Sequence, residues 1–159
     1  MLKIGLDTES LHLWFQNKRM DIFGYIEKAH ELGFDGIMIN ILKDYNLDPE
    51  WGTLGSNDPE HLRKVRELLE SYHMYVELAT KGITKEHLLK VLDVAEALGA
   101  DIIRTYIPIT LNPLATRATG GEGKYDLAKV LGDFDPVVFD EAAMTLREII
   151  PELKKRRIR

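Results

Sequence analysis

Four strand-like segments alternate with four helix-like segments along this chain, and that alternation constrains its fold more than any other feature. The strand-like segments cover residues 3–7, 36–42, 75–79 and 101–107. The segments that follow each of them place apolar residues three and four positions apart, which is the spacing of one helix face. Strict alternation predicts parallel strands connected by crossover helices, in a sheet that helices must cover.

A sequence repeat divides the alternation into two similar units. The pattern Ala-x-x-Leu-Gly-x-Asp-x-Ile starts at residue 29 and again at residue 95, and each copy spans a helix end and the next strand entry. Gly33 and Gly99 are expected to be left-handed helix stops, and Asp35 and Asp101 to hold the turns by bonding nearby backbone amides. Two β-α-β-α units predict an α/β fold, namely the parallel (β/α)4 half of a TIM barrel, which association with a second half would complete.

The whole chain is expected to form one half-barrel domain over residues 1–159, ending where a fifth strand would begin. Residues 108–134 lack a strand or helix pattern and contain three glycines between positions 120 and 123. Segments of this length in a compact domain commonly cover a site, so they predict a long loop or lid. The fourth helix is expected to begin near residue 135, and Pro151 to end or kink it.

Composition and charge exclude several function classes. Hydrophobic residues make up 45% of the chain and charged residues 30%, as in ordinary globular domains, and no apolar run approaches the roughly 20 residues of a membrane helix. The amino terminus lacks the pattern of a secretory signal, so we expect a cytoplasmic location and no membrane partner. The absence of cysteine excludes disulfides and thiolate sites. The net charge of −5 argues against nucleic acid as a partner and favours a small substrate.

Polar residues cluster at the predicted carboxyl ends of the strands, where closed barrels of this type carry their chemistry. Trp14 and Trp51 follow the first two strands, where their rings either stack on a sugar or cover the barrel mouth. Four of the five histidines lie on or beside helices without zinc-site spacing and are expected at the surface. The polar residues selected by the strand-end rule are Asp7, Glu9, His12, Asn40, Glu77, Thr80, Arg104 and Tyr106.

Glu77 and Arg104 each have two alternative roles. Glu77 is the best candidate for a catalytic acid or base, although a carboxylate at a strand end more commonly serves as a hydrogen-bonding brace. Arg104 would either bind a phosphate or carboxylate, or pair with Glu77 across neighbouring strands, and the pairing is favoured.

The opening of the chain resembles a known family. The segment KIGLDTESLHLWF over residues 3–15, followed by IEKAHELGFDG over residues 26–36, resembles the start of the sugar phosphate isomerase/epimerase family with the xylose-isomerase-like barrel. The segments AEALGA over residues 95–100 and LREIIP over residues 146–151 are also similar to that family. The resemblance implies a TIM barrel of which this chain is the amino-terminal half.

The resemblance also implies a cofactor and a binding role. Family members use a divalent metal, often Mn²⁺, Mg²⁺ or Co²⁺, bound by residues at the ends of strands five to eight, so we expect this chain alone to bind no metal. By position, His12 would hydrogen-bond a sugar hydroxyl, whereas Glu9 stands where many relatives have an aromatic residue. The predicted catalytic residue is Glu77, and the predicted substrate-binding residues are His12, Trp14, Asn40, Trp51, Arg104 and Tyr106.

Two functions remain compatible with the sequence. In the first, the chain is the amino-terminal half of a metal-dependent sugar or sugar phosphate isomerase or epimerase, or of a related sugar-acid enzyme, and contributes substrate-binding residues. In the second, it is a noncatalytic half-barrel that self-associates through the edges of strands one and four or binds a carbohydrate. The expected partners are a sugar or sugar phosphate and either a second copy or a complementary barrel half.

Overall fold

The computed structural model describes residues 2–41, 51–106 and 136–159, and within the last range the side chains from residue 140 onward. The long loop or lid predicted over residues 108–134 lies outside these residues. None of the helices in the described ranges is both long enough and apolar enough to cross a bilayer.

Four parallel strands form one sheet in the described part of the chain. They are β1 (Gly5–Asp7), β2 (Gly36–Ile41), β3 (Tyr75–Lys81) and β4 (Ile103–Tyr106). Their spatial order is β1-β2-β3-β4, and each pair is parallel. A spatial order equal to the chain order is that of a barrel wall, because doubly wound sheets reverse direction at a switch point. The predicted α/β half-barrel is thereby confirmed.

Helices follow the strands, and three of them begin at side-chain caps. Their bounds are α1 (His12–Gln16), α2 (Ile22–Glu31), α3 (Pro59–Ser71), α4 (Lys85–Leu98) and α5 (Pro136–Arg156). Asp21 caps α2, Asp58 caps α3 and Thr84 caps α4, each by accepting a hydrogen bond from a first-turn amide.

The segment between β1 and α2 is mostly helical. A 3₁₀ turn over Thr8–Leu11 leads directly into α1. The turn forms because the Asp7 side chain accepts a hydrogen bond from the Glu9 amide, 2.9 Å away, and so caps it.

The helix ends follow the repeat in the sequence. Gly33 and Gly99 are left-handed, with φ of 80° and 77°, which confirms the predicted stops. His73 after α3 and Arg157 after α5 occupy the same left-handed position with φ of 55° and 57°. At all four ends the next amide bonds a carbonyl five residues back, as in the Schellman motif.

Of the two repeat aspartates, Asp35 bonds a backbone amide as predicted, whereas the described bond of Asp101 goes to a side chain. The Asp35 carboxylate accepts a hydrogen bond from the Ile4 amide at 2.8 Å, so it ties the turn to the start of β1 rather than to amides of its own turn. The Asp101 carboxylate pairs with the Arg159 guanidinium at 2.8 Å. Each aspartate therefore connects a helix-to-strand turn to a neighbouring chain segment.

The carboxyl-terminal residues run beside β4. The Arg159 amide donates to the Asp101 carbonyl at 2.7 Å, and the Ile103 amide donates to the Arg159 carbonyl at 2.8 Å, which is the hydrogen-bond pattern of a parallel pair. In the first repeat, the Tyr75 amide likewise donates to the Asp35 carbonyl, at 3.1 Å. Arg159 therefore takes the place beside β4 that Tyr75 takes beside β2.

Helix α5 continues past Pro151 to Arg156, so of the two alternatives expected for Pro151 the helix end is excluded and the kink stays a prediction. The last turn is held by the guanidinium of Arg156, which bonds Asp93 at 2.8 Å and Glu96 at 3.0 Å on α4. These bonds compensate for the amide that a proline lacks.

The two faces of the sheet differ. Ile37, Ile39 and Leu78 are fully buried on the face that the helices cover, where they pack with the apolar stripes of α2, α3 and α4. The residues between them in sequence point to the opposite face, because side chains alternate along a strand. That opposite face carries most of the polar strand residues and holds the candidate site.

Candidate functional site

The strand register determines which side chains share the face opposite the helices, called here the inner face. Asp7 lies opposite Met38, which lies opposite Glu77. One step nearer the carboxyl ends, Asn40 lies opposite Ala79, and Ala79 opposite Arg104. Lys81 and Tyr106 form the outermost pair. The inner face therefore consists of Asp7, Met38, Asn40, Glu77, Ala79, Lys81, Arg104 and Tyr106.

Tyr75 closes the amino end of the inner face. A Cβ added at Gly36 would overlap its ring, and one at Gly5 would overlap its hydroxyl, so both positions need glycine for space. Burial raises the pKa of Tyr75, and the carboxylates of Glu77 and Asp35 raise it further. The ring therefore serves as a neutral floor beneath the polar residues.

The Asp7 carboxylate is the centre of the site. Its Oδ1 accepts hydrogen bonds from the Glu9 amide at 2.9 Å and from Asn40 Nδ2 at 2.6 Å. Its Oδ2 lies 3.4 Å from Nη2 of Arg104. The carboxylate thus joins the ends of β1, β2 and β4 and is fixed on more than one side.

Asn40 is buried and connects Asp7 to the segment after β2. Its backbone amide and its Nδ2 donate to the Thr8 hydroxyl at 3.0 Å and 3.1 Å. The Thr53 hydroxyl lies 3.1 Å from Thr8 Oγ1 and 3.0 Å from the Asn40 carbonyl oxygen. Both threonines are buried. Thr8 and Thr53 were not selected by the sequence, since a hydroxyl in a loop becomes informative only when its partners are known.

Arg104 and Asp7 bridge the sheet from its fourth strand to its first. Adjacent strands lie about 4.8 Å apart, so this pair crosses three strand spacings. Ala79, fully buried, stands in register beside Arg104 and offers only a methyl group to the space that the arginine crosses. The guanidinium therefore lies over the inner face, close to the ring of Tyr106, whose centre is 5.1 Å away.

The predicted pairing of Arg104 with Glu77 is wrong, because Arg104 reaches Asp7 instead. Glu77 lies on the inner face, half-buried, and makes no hydrogen bond or ion pair with another residue that the structure describes. A carboxylate that acts as a hydrogen-bonding brace needs a partner. The described residues provide none for Glu77, so they do not support a bracing role for it.

The remaining predicted residues, His12, Trp14 and Trp51, lie outside the strands. His12 opens α1, and its Nδ1 donates to the Glu9 carbonyl, 2.8 Å away. Trp14, on the same helix, is half exposed. Trp51 is only 7% exposed and belongs to the hydrophobic core. Its ring lines a cavity with residues of α4 and so packs in the helix layer.

His87 is half-buried and hydrogen-bonded, whereas the sequence predicts a surface residue. Thr80 donates its hydroxyl proton to the Ile41 carbonyl at 3.1 Å, so its oxygen accepts from His87 Nε2 at 2.7 Å. His87 also lines a cavity of about 210 Å³ with Trp51 and Lys90, on the helix side of the sheet.

Tyr25, whose pKa the charge of Asp7 affects, is also buried. Tyr25 on α2 has no exposed surface, and among the described residues its hydroxyl has no hydrogen-bond partner. Burial raises the pKa of Tyr25, and the negative charge of Asp7 raises it further. Tyr25 therefore stays neutral beside the site.

The metal implied by the family resemblance does not fit the residues described. Within residues 2–41, 51–106 and 136–159, no three histidine, aspartate or glutamate side chains come close enough together to hold a metal ion. Asp7, the acidic residue at the centre, is already occupied by two hydrogen-bond donors and by the cation of Arg104.

Comparison with known proteins adds to the fold. No family model and no curated protein matches the chain. Among solved structures, the chain is similar to a D-psicose 3-epimerase from Clostridium cellulolyticum H10, crystallised with D-tagatose, at a TM-score of 0.64 and 13% identity. The match covers 99% of this chain and 50% of that chain. The chain thus spans half the length of this structure and shares the fold of that half.

Proposed function

We propose that this chain is the amino-terminal half of a sugar or sugar phosphate isomerase or epimerase with a xylose-isomerase-like barrel. One observation carries the proposal: the carboxyl ends of four parallel strands gather hydrogen-bonding and charged side chains on a single inner face. Barrel enzymes place their substrates at this end of the strands. The epimerase with which the chain shares a half-barrel fold makes a sugar the substrate class to test first.

The inner face supports distinct roles for its residues. Isomerases and epimerases move a proton at a carbon next to a carbonyl, and a carboxylate can accept and return that proton. Glu77 is proposed for this step, because it lies on the inner face without a described partner. Asp7 and Asn40 are tied to each other and position the site, while His12 and Trp14 are proposed to contact the sugar.

A complementary half-barrel is the proposed partner that completes the site. A second copy would have to pair its β1 with the free side of β4, and Arg159 already bonds the amino half of that side. A strand that pairs with β4 beyond Arg159 leaves those bonds intact, whether it belongs to a complementary half or to a second copy. The metal of such a site is proposed to come with that half, because the described residues of this chain offer no ligand group.

The alternative is a carbohydrate-binding half-barrel without catalytic activity. Trp14 is 50% exposed and Tyr106 is 46% exposed, so each offers an aromatic face of the kind that stacks on sugar rings. The carbohydrate-binding module and the enzyme half would bind sugar at the same site. They differ only in whether the completed protein converts the sugar.

Calorimetric titration of the full chain with D-fructose and D-tagatose tests the sugar site. We expect saturable binding that His12→Ala and Trp14→Ala weaken severalfold. The matched control is His30→Ala, because His30 is exposed on α2 and stacks on Tyr72 away from the strand ends. Absence of ketose binding to the wild-type chain would contradict the proposal.

An epimerisation assay with added Mn²⁺ then separates the enzyme half from the binding module. We expect no turnover by the chain alone and turnover that depends on Glu77 when a complementary half is supplied. Light scattering establishes the oligomeric state of each sample. A monomer that epimerises ketoses unaided would show that the catalytic residues all lie within this chain.

A further inference from the structure

A continuous set of hydrogen bonds connects the segment after β2 with the Asp7 carboxylate. Thr53 and Thr8 are buried, and their hydroxyl oxygens lie 3.1 Å apart. Thr53 Oγ1 also lies 3.0 Å from the backbone carbonyl oxygen of Asn40. Asn40 Nδ2 lies 3.1 Å from Thr8 Oγ1 and 2.6 Å from Asp7 Oδ1. Hydroxyl and amide groups can both donate and accept, so the partners decide the direction of each bond.

The Asp7 carboxylate decides the orientation of the Asn40 side-chain amide. An ionised carboxylate only accepts hydrogen bonds, so the part of the amide that faces Asp7 is the NH₂ group and not the oxygen. The second proton of that NH₂ group points to Thr8 Oγ1. Asn40 Oδ1 has no partner among the described residues, and it is not one of the fully enclosed atoms that lack one. It is therefore an accessible acceptor, and the register places Asn40 on the inner face.

The direction of the threonine bonds follows from the two N–H groups of Asn40. The backbone amide lies 3.0 Å and Nδ2 lies 3.1 Å from Thr8 Oγ1, so together they occupy both lone pairs of that oxygen. Thr8 consequently donates its own proton to Thr53 Oγ1, and Thr53 donates its proton to the Asn40 carbonyl. Each hydroxyl proton then has an acceptor, and each bond depends on the next one along the set.

From this order of bonds we infer that Thr53 is a positioning residue of the candidate site. It accepts the Thr8 proton, and Thr8 accepts from the Asn40 NH₂ group, so the amide is held with Oδ1 available to a substrate. The inference rests on the proposed function, in which Asn40 Oδ1 accepts a hydrogen bond from a hydroxyl of the sugar. Without the Thr53 hydroxyl, the Thr8 proton loses its acceptor, the Thr8 hydroxyl turns, and the amide loses its bond to Thr8.

The backbone around Thr53 allows the hydroxyl to be removed without displacing the segment. The Thr53 amide donates to the Asn40 carbonyl at 3.0 Å, independently of the side chain. His61 on α3 donates from Nε2 to the Leu54 carbonyl, 2.8 Å away, and holds the next residue. Thr53→Val keeps the shape of the side chain and removes only the hydroxyl, so it breaks the set of bonds at one defined point.

Hydrogen exchange of side-chain amides, followed by NMR on the full chain, tests the positioning role. In the wild type, the Nδ2 protons of Asn40 should exchange about tenfold more slowly than those of the exposed Asn57. Thr53→Val should accelerate the exchange at Asn40 about tenfold, whereas Thr53→Ser, which keeps the hydroxyl, should retain the wild-type rate. The matched control is Thr105→Val, because the half-buried Thr105 hydroxyl donates to the Gly82 carbonyl and not to the site.

Calorimetric titration of the same variants with D-tagatose tests the consequence for binding. Thr53→Val should weaken D-tagatose binding about tenfold, which is the effect of one lost oriented hydrogen bond. Thr53→Ser and Thr105→Val should both keep the wild-type affinity. Rescue by serine separates the hydroxyl from the packing of the side chain.

The two measurements separate the possible outcomes. Exchange at Asn40 as fast as at Asn57 in the wild type would overturn the inference, and this comparison holds even if Thr53→Val fails to fold. Unchanged exchange or unchanged D-tagatose affinity in Thr53→Val, or an equal acceleration in Thr105→Val, would overturn it as well. A wild-type chain that binds no D-tagatose, while the exchange effect persists, would contradict the proposed function and leave the role of Thr53 in holding Asn40 standing.

Discussion

At the scale of single residues, Tyr25 has a buried hydroxyl whose surroundings affect both its stability contribution and its pKa. Its hydroxyl is enclosed between α2 and the core, next to Phe15, whose ring centre is 5.5 Å from its own. A buried hydroxyl without a hydrogen bond loses its interaction with water and gains nothing in return. The neighbouring charge of Asp7 adds to the cost of ionising it.

Tyr25→Phe is therefore expected to raise the free energy of unfolding by about 1 kcal/mol at neutral pH, because it removes the unsatisfied hydroxyl. The difference should grow above pH 10. The pKa of Tyr25 is raised in the folded chain, so the unfolded chain loses the proton first and ionisation favours unfolding. Urea denaturation from pH 7 to pH 11 measures both effects.

The exposed Tyr106 provides the control for this prediction. Tyr106→Phe keeps the ring and removes a hydroxyl on the partly open inner face, so it should leave the free energy of unfolding at neutral pH unchanged. A wild-type chain more stable than Tyr25→Phe would mean that the Tyr25 hydroxyl has a bonding partner after all.

At the scale of the elements, the helix ends show what a sequence pattern reveals and conceals. The left-handed conformation of Gly33 and Gly99 can be predicted from the residue type, because glycine adopts it without steric cost. His73 and Arg157 adopt the same conformation without glycine, and they were not identified because side chains at such positions are uncommon. The helix end is set there by the chain path into the next segment.

His73→Gly is expected to raise the free energy of unfolding by about 1 kcal/mol, because glycine has no Cβ to penalise the left-handed conformation. Thermal and urea unfolding measure the change. Lys64→Gly within α3 is the matched control and should lower stability by about 1 kcal/mol, since there the backbone is helical. Destabilisation by His73→Gly would show that the imidazole contributes more than the backbone strain costs.

At the scale of the whole molecule, α5 closes the described half-barrel against α4. Arg156 is the connection, since its guanidinium bonds Asp93 and Glu96 on α4 and also Glu152 on its own helix. Only 14% of its side chain is exposed, whereas Asp93 and Glu96 are 68% and 61% exposed, so water reaches these bonds from the carboxylate side. The same helix end positions Arg159 beside β4.

Arg156→Ala is expected to lower the free energy of unfolding by about 2 kcal/mol, because it removes charge-assisted hydrogen bonds and leaves three carboxylates without their cation. Amide hydrogen exchange at Ile103 should also accelerate, since the partner of that amide is held in place by α5. Lys155→Ala, at an exposed neighbouring position, should do neither. Unchanged exchange at Ile103 in Arg156→Ala would mean that Arg156 does not hold the hydrogen bond between the Ile103 amide and the Arg159 carbonyl in place.

Much of the site was predictable residue by residue, but its connections were not. The strand-end rule selected Asp7, Asn40, Glu77, Arg104 and Tyr106, and the structure places all of them on one face. It also selected a role for Trp51 that burial in the helix layer disfavours. A short sequence pattern cannot distinguish the two, because an aromatic residue after a strand has the same local signature in the core and at the mouth.

The sequence by itself determined the alternation, the parallel half-barrel and the glycine helix stops, because those depend on apolar spacing and backbone conformation over a few residues. Only the tertiary structure decided that Arg104 pairs with Asp7, which lies 97 positions away in the chain, and not with Glu77 on the adjacent strand. That choice depends on strand register and on the space left above Ala79. Both are properties of the assembled sheet and of no single segment.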